Sequence, residues 1–192
     1  MGLLLIEQAF NGLQFGVMLF LIAAGLTLVF GIMDLVNLSH GSLVMVGAYL
    51  ATTLIEWTGS FILGILLALP STFLVGVVVE IVVLRTLYER DHLDQVLATF
   101  GLILFFNELI RIVWGPASLY SGLPESISGH VEILPGVPYP AFRLLIILVG
   151  LLVALLIYFI VARTKLGMLI RAGASNREMA GALGVNIRML FT

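Results

Sequence analysis

Residues 9–33 form a run of 25 positions without one charged side chain. A soluble domain has no place for such a run, whereas the roughly 30 Å hydrocarbon core of a bilayer needs about 20 apolar helical residues to span it. Lipid supplies no hydrogen-bond partners, so a spanning backbone must be α-helix or closed barrel. Barrel strands alternate apolar and polar residues over about ten positions, and this chain shows long non-alternating stretches instead. Four more apolar segments follow: 35–55, uncharged apart from His40; 57–84, with Glu80 its one charge; 96–114, carrying Glu108 and Arg111; and 144–162, uncharged between Arg143 and Arg163. The expectation is an all-α polytopic membrane protein with about five transmembrane segments. Only 10% of residues are charged, against roughly a quarter in soluble domains, so lipid is the solvent. A net charge of −2 gives no basic field for nucleic acid.

Positive charges set the orientation. Arg85 and Arg90 lie between the third and fourth segments, and Arg163, Lys165, Arg171, Arg177 and Arg188 follow the fifth. Residues 56–60 and 115–141 contain neither Lys nor Arg. The cationic loops belong in the cytoplasm, which places the N-terminus outside. The first residues lack a basic region and a cleavage pattern, so no signal peptide is expected. Five of the six prolines fall within 115–141, and such punctuation builds turns. His130-Val-Glu-Ile-Leu alternates enough for a short strand. This external loop is either a lid or docking element, or a passive connector.

The chemistry available is limited. There is no cysteine, and His40, His92 and His130 are too scattered for a metal cluster, so no metal or cofactor is expected. No phosphate-binding loop, His-Glu-x-x-His or nucleophile elbow occurs, which leaves an enzymatic role unsupported. Polar side chains inside a span are expensive and face a bundle interior or a wet cavity. They crowd the start of the second segment, where Asn37, Ser39, His40 and Gly41 are candidates to line a translocation path. Helix capping and close packing are the alternative for this tract; packing is preferred for Gly41, Ser42 and Gly47, and for His40 the readings balance. Gly12 and Gly16 form a small-residue packing face. Glu108 and Arg111, three apart, are placed to pair. Glu80, one turn from the cytoplasmic end of its span, is expected to snorkel.

Beyond the fifth segment, Ser175-Asn-Arg-Glu178 fits a capping box, and Gly184 suits the left-handed residue that stops a helix. A helix of about two turns lies between them, roughly 12 Å long, with Met179, Ala182 and Leu183 on one face. On physical grounds alone it lies against the protein's own membrane face.

Four tracts in order resemble the permease subunits of branched-chain amino-acid ABC importers. They are Asn37-Leu-Ser-His-Gly-Ser-Leu-Val-Met-Val-Gly-Ala-Tyr49; Ala98-Thr-Phe-Gly-Leu-Ile-Leu with Asn107; Arg163-Thr-Lys-Leu-Gly-Met-Leu-Ile-Arg-Ala172; and Glu178-Met-Ala-Gly-Ala-Leu-Gly184. The last is similar to the E-A-A-x-x-x-G loop of importer permeases, with Met179 replacing the first alanine. The resemblance implies one permease domain over 1–192, an external loop at 115–141 and a cytoplasmic coupling helix at 175–184. Ser175, Arg177, Glu178, Met179, Ala180, Leu183 and Gly184 would then meet a groove of an ATPase subunit. It further implies a bacterial cytoplasmic membrane, separate ATP-binding-cassette subunits, a second permease subunit and an extracytoplasmic substrate-binding protein. Family members continue for several spans past this loop, and Met189-Leu-Phe-Thr resembles the start of the next, so the chain is expected to be a truncated permease or to have its missing half supplied by another polypeptide. Two other classes compete: a gradient-driven carrier or channel for a small polar solute, using Glu80 or His40 as proton site, and a structural subunit without a path. Branched-chain amino acids follow from the resemblance alone; other amino acids, urea and short amides fit as well.

Overall fold

The computed structural model describes residues 2–120, 122–134 and 137–191. In chain order the elements are α1 (Gly2–Met33), α2 (His40–Thr58), α3 (Phe61–Val82), a short 3-10 turn (Leu84–Leu87), α4 (His92–Trp114), α5 (Glu125–Ser128), β1 (His130–Leu134), β2 (Val137–Pro140), α6 (Ala141–Arg163), α7 (Lys165–Ser175), α8 (Arg177–Ala182) and α9 (Ile187–Phe191). On length and composition α1, α3, α4 and α6 can each cross a membrane. The second expected segment, 35–55, differs: its helix begins only at His40, after Asp34 takes a left-handed backbone (φ 51°) and ends α1. Asparagine and aspartate tolerate that region better than other side chains. The 19 residues of α2 still reach about 28 Å at 1.5 Å each.

The structure divides into two compact units, one of Met1–Gly25 with Leu123–Ala172, the other of Leu26–Gly122 with Gly173–Thr192. In the second, α2 and α3 form a tight hairpin. Gly59 supplies the left-handed turn (φ 63°), and Ser60 caps α3 by accepting a hydrogen bond from the Leu63 amide at 3.5 Å. The helices then approach at two glycines. A Cβ on Gly64 would lie 2.6 Å from the backbone of Ile55, and one on Gly47 would meet Thr72 at 3.1 Å. Small residues at a crossing suit lipid, where packing rather than exclusion of water holds helices together. The packing reading of Gly47 is thereby supported, while a Cβ on Gly41 would meet open space. Met33, Leu35, Val46, Val79, Leu84, Leu87, Phe106 and Ile110 form the core of this unit. At the far end of α2, Trp114 donates to Thr53 Oγ1 at 2.7 Å and stacks at a tilt on Tyr49, centroids 5.4 Å apart. Leu69 and Phe73 on α3 are each 65% exposed, as side chains facing lipid are.

In the first unit α1 packs on α6 where Gly150 opposes Val17: an added Cβ would collide with that valine. Gly12 and Gly16, the expected packing face, instead look onto open space. The expected strand is present as β1, antiparallel to β2, with Val131 opposite Tyr139. Tyr139 is fully buried against Phe10, and Asn11 Oδ1 accepts from its hydroxyl at 3.1 Å and from Arg143 at 2.7 Å. α6 stops at Thr164, whose hydroxyl donates to Ile160 O and accepts from the Gly167 amide. Arg171 folds back to donate to Val161 O, and any side chain at Gly167 would strike that same stretch of backbone.

Candidate translocation and coupling sites

The polar tract of the second segment straddles the break between α1 and α2. Residues 34–37 are extended or irregular and 38–39 form a turn. Such backbone has unsatisfied N–H and C=O groups, which cannot be left bare at membrane depth. α4 satisfies them. Gln95 Oε1 accepts from the Val36 amide at 3.1 Å, and Thr99 Oγ1 accepts from the Leu38 amide at 3.3 Å. The Gln95 Nε2 donates to Leu87 O (3.2 Å) and Arg90 O (3.1 Å), so both ends of the amide are used and its orientation follows from its partners. Thr99 has one proton to give, and its shortest acceptor is Gln95 O at 2.8 Å. Gln95 is 3% exposed and Thr99 fully buried. Stranding one such buried group costs about 1–3 kcal/mol.

Within the tract, Asn37 Oδ1 accepts from both the Ser39 amide (3.0 Å) and its hydroxyl (2.6 Å), and both residues are buried. His40 is half-buried and Gly41 exposed at the start of α2. The structure thus brings Asn37 and Ser39 together and places His40 and Gly41 at the edge of the same turn.

Glu80 does not snorkel. It is 5% exposed, and its carboxylate is gripped by Arg85, Nε to Oε1 at 3.2 Å and a second guanidinium nitrogen to Oε2 at 3.0 Å, and by the Tyr88 hydroxyl at 2.6 Å. The chain turns back after Val82 through the 3-10 turn, which puts both donors beside the buried carboxylate. The hydrogen bond to Glu80 holds the Arg85 pKa above its ordinary value. Burial, then the bond to Glu80, pushes the Tyr88 hydroxyl well above its usual 10.0. An alkaline titration followed by tyrosinate absorbance is therefore expected to leave Tyr88 protonated while exposed tyrosines ionise. The folded chain keeps this proton where the unfolded chain releases it, so the bond's contribution declines as pH rises above about 10. A Tyr88→Phe variant showing the same absorbance rise as the parent supports this assignment, and a smaller rise contradicts it. Glu108 and Arg111 differ from expectation: both are exposed, and among the described residues no ion pair joins them. Beside the turn, Thr86, Leu87, Arg90, Asp94, Leu97 and Ala98 line an open groove of about 390 Å³.

After α7 the capping role falls one residue later than expected. Ser175 is the last residue of α7 and so lacks the non-helical backbone an N-cap needs; Asn176 has it (φ −157°, ψ 104°) and accepts from the Met179 amide at 2.9 Å. The stop is as expected: Gly184 is left-handed (φ 89°). Its amide reaches Gly181 O at 3.0 Å and that of Val185 reaches Ala180 O at 3.1 Å, the paired bonds of a Schellman ending. Glu178, Met179 (62% exposed) and Leu183 (80%) face outward, whereas Ala180 is buried. Arg177 lies in the helix, but its side chain falls outside the described residues.

Gln95 and Thr99 are the residues sequence reasoning missed. Their signal was a pair of polar residues one turn apart at an apolar helix start, matched to a polar stretch elsewhere in the chain.

Apolar helices around a polar break that a neighbouring helix satisfies define an all-α polytopic membrane protein. The chain belongs to the family described as branched-chain amino acid transport system, permease component, which it matches over residues 8–191. It is 29% identical over 194 residues to the high-affinity branched-chain amino acid transport system permease protein BraD of Pseudomonas aeruginosa, covering 94% of this chain and 62% of that protein. It is 26% identical over 195 residues to LivH of Escherichia coli K12, a permease protein of the same description, with the same coverage. A probable branched-chain amino acid transport permease protein LivH of Methanocaldococcus jannaschii is 28% identical over 185 residues, 88% of this chain and 55% of that one. The chain thus spans about three-fifths of the length of these relatives. No solved structure matches it significantly.

Proposed function

We propose that this chain belongs to a permease subunit in an ATP-driven importer of branched-chain or related amino acids. The family match over residues 8–191 carries this reading. The break at 34–39 brings Asn37, Ser39, His40 and Gly41 to the path, and α8 serves as coupling helix to a cytoplasmic ATP-binding-cassette subunit. The outward Met179 and Leu183 on a helix capped at both ends support that role, since a rigid apolar ridge suits insertion in a groove. Ser175, Arg177, Glu178 and Gly184 frame it, and Ala180 is its buried residue. The positive-inside rule supports an N-terminus outside, with 115–141 on that same external face; the family match supports a bacterial cytoplasmic membrane and a substrate-binding protein that meets this face. A second permease subunit, alike or related, completes the path. Hydrolysis on the ATPases then switches access between two states of different ligand affinity. The carrier reading is weakened at Glu80, whose carboxylate is occupied by Arg85 and Tyr88.

The test is co-purification of the full-length gene product in mild detergent with identification of its companions by mass spectrometry. Recovery of ATPase subunits supports the importer; recovery of the permease alone, under conditions that preserve such complexes, argues for a gradient-driven carrier. With the complex in hand, Leu183→Asp is expected to weaken ATPase association at least about tenfold, equivalent to about 1.4 kcal/mol, while membrane insertion persists. Unchanged association in a pull-down would remove α8 from the interface.

A further inference from the structure

We propose that Gln95 and Thr99 are positioning residues for transport, forming a joint that passes movement of the loop 83–91 to the Asn37–His40 tract. The geometry is one of matched spacing. The two side chains are one helical turn apart, four residues or about 6 Å along α4. The amides they engage belong to Val36 and Leu38, two residues apart in the non-helical break. Helix and break therefore stay in register, and the contact reads only backbone. Gln95 also donates to Leu87 O and Arg90 O, so a single buried amide ties the break, the loop and the start of α4 together. The loop's other side is open, since Leu87 and Arg90 line the groove beside it. A shift of the loop must either carry Gln95, and with it Val36, or break the hydrogen bonds of a side chain that is 3% exposed. Asn37 and Ser39, bonded to each other, lie between and beyond the two anchored amides and move with them.

The transport part of this inference rests on the importer reading above; the joint itself does not. Two measurements separate them, both on the full-length gene product assembled with its partners. The first is amide hydrogen exchange over residues 34–39 in Thr99→Val, Gln95→Met and the double variant, with Thr99→Ser retaining the hydroxyl. Exchange is expected to quicken at least about tenfold in Thr99→Val and more in the double variant, with peptides from α3 and α6 unchanged and Thr99→Ser near wild type. The second is the ratio of solute moved to ATP hydrolysed in proteoliposomes, expected to fall at least about tenfold in Gln95→Met at equal assembly while hydrolysis continues.

Unchanged exchange in an assembled double variant overturns the joint, as does equal behaviour of Thr99→Val and Thr99→Ser. Parallel loss of assembly, hydrolysis and transport reduces both residues to a structural role and overturns the positioning claim. Should the wild-type complex show no ATP-dependent transport, the importer reading fails while the exchange result still decides the joint.

Discussion

Gly64→Ala is expected to prevent the α2–α3 hairpin from closing as it does here. Its methyl group would stand 2.6 Å from the Ile55 backbone, and backbone, unlike the far end of a side chain, cannot turn aside. Overpacking usually costs 1–3 kcal/mol, and a backbone clash in a two-residue hairpin sits at or above about 3 kcal/mol. The measurement is the apparent melting temperature in detergent, expected to drop by roughly 10 °C, together with the yield of monodisperse protein. Gly76→Ala, on the same helix, is the control: a Cβ there meets nothing within 4 Å, and its cost should stay within about 0.5 kcal/mol. Equal melting of the two variants would show that the helices do not approach closely at Gly64.

Arg85→Met is expected to destabilise more than removal of both partners. The substitution takes the guanidinium away from the Glu80 carboxylate, which still accepts from the Tyr88 hydroxyl, in a site where it is nearly inaccessible. Breaking a buried pair from one side is costly, whereas replacing both members by apolar residues is often neutral or better. Arg85 is itself 40% exposed, so solvent screens the loss, and a fall of roughly 5 °C is expected. The double variant Arg85→Met with Glu80→Leu should recover most of it. A double variant that melts below Arg85→Met would show that Glu80 holds the turn through Tyr88 rather than through charge.

The residues differ in how openly they declare their roles. The apolar runs of α1, α3, α4 and α6 dictate helix because lipid permits little else, and one strand of the external loop was readable from His130-Val-Glu-Ile-Leu. Gly184 was readable because a left-handed stop needs a residue without Cβ. The cap is expected at Ser175 and lies at Asn176, since two adjacent good capping residues leave the choice to where α7 stops. Glu80 was read by its distance from the end of a span, but its partners come from a turn whose return path no local pattern encodes. Gln95 and Thr99 stayed hidden for a related reason: their partners are backbone amides some 60 positions away, with separations of 59 and 61. An amide belongs to every residue and so leaves no mark in a sequence. The candidate path residues were visible as polar letters in an apolar span, yet that visibility did not reveal that Asn37 and Ser39 are bonded to each other.

Because Gln95 and Thr99 grip main-chain amides, the identity of the side chains at positions 36 and 38 is free of that grip. Leu38, 45% exposed, belongs to an anchored peptide unit yet presents its own side chain outward. Almost any residue retains the donor there; proline, which has no N–H, is the exception. At these two positions the anchoring of the break therefore tolerates a change of side chain, unlike at Asn37 and Ser39, whose own side chains make the bond between them.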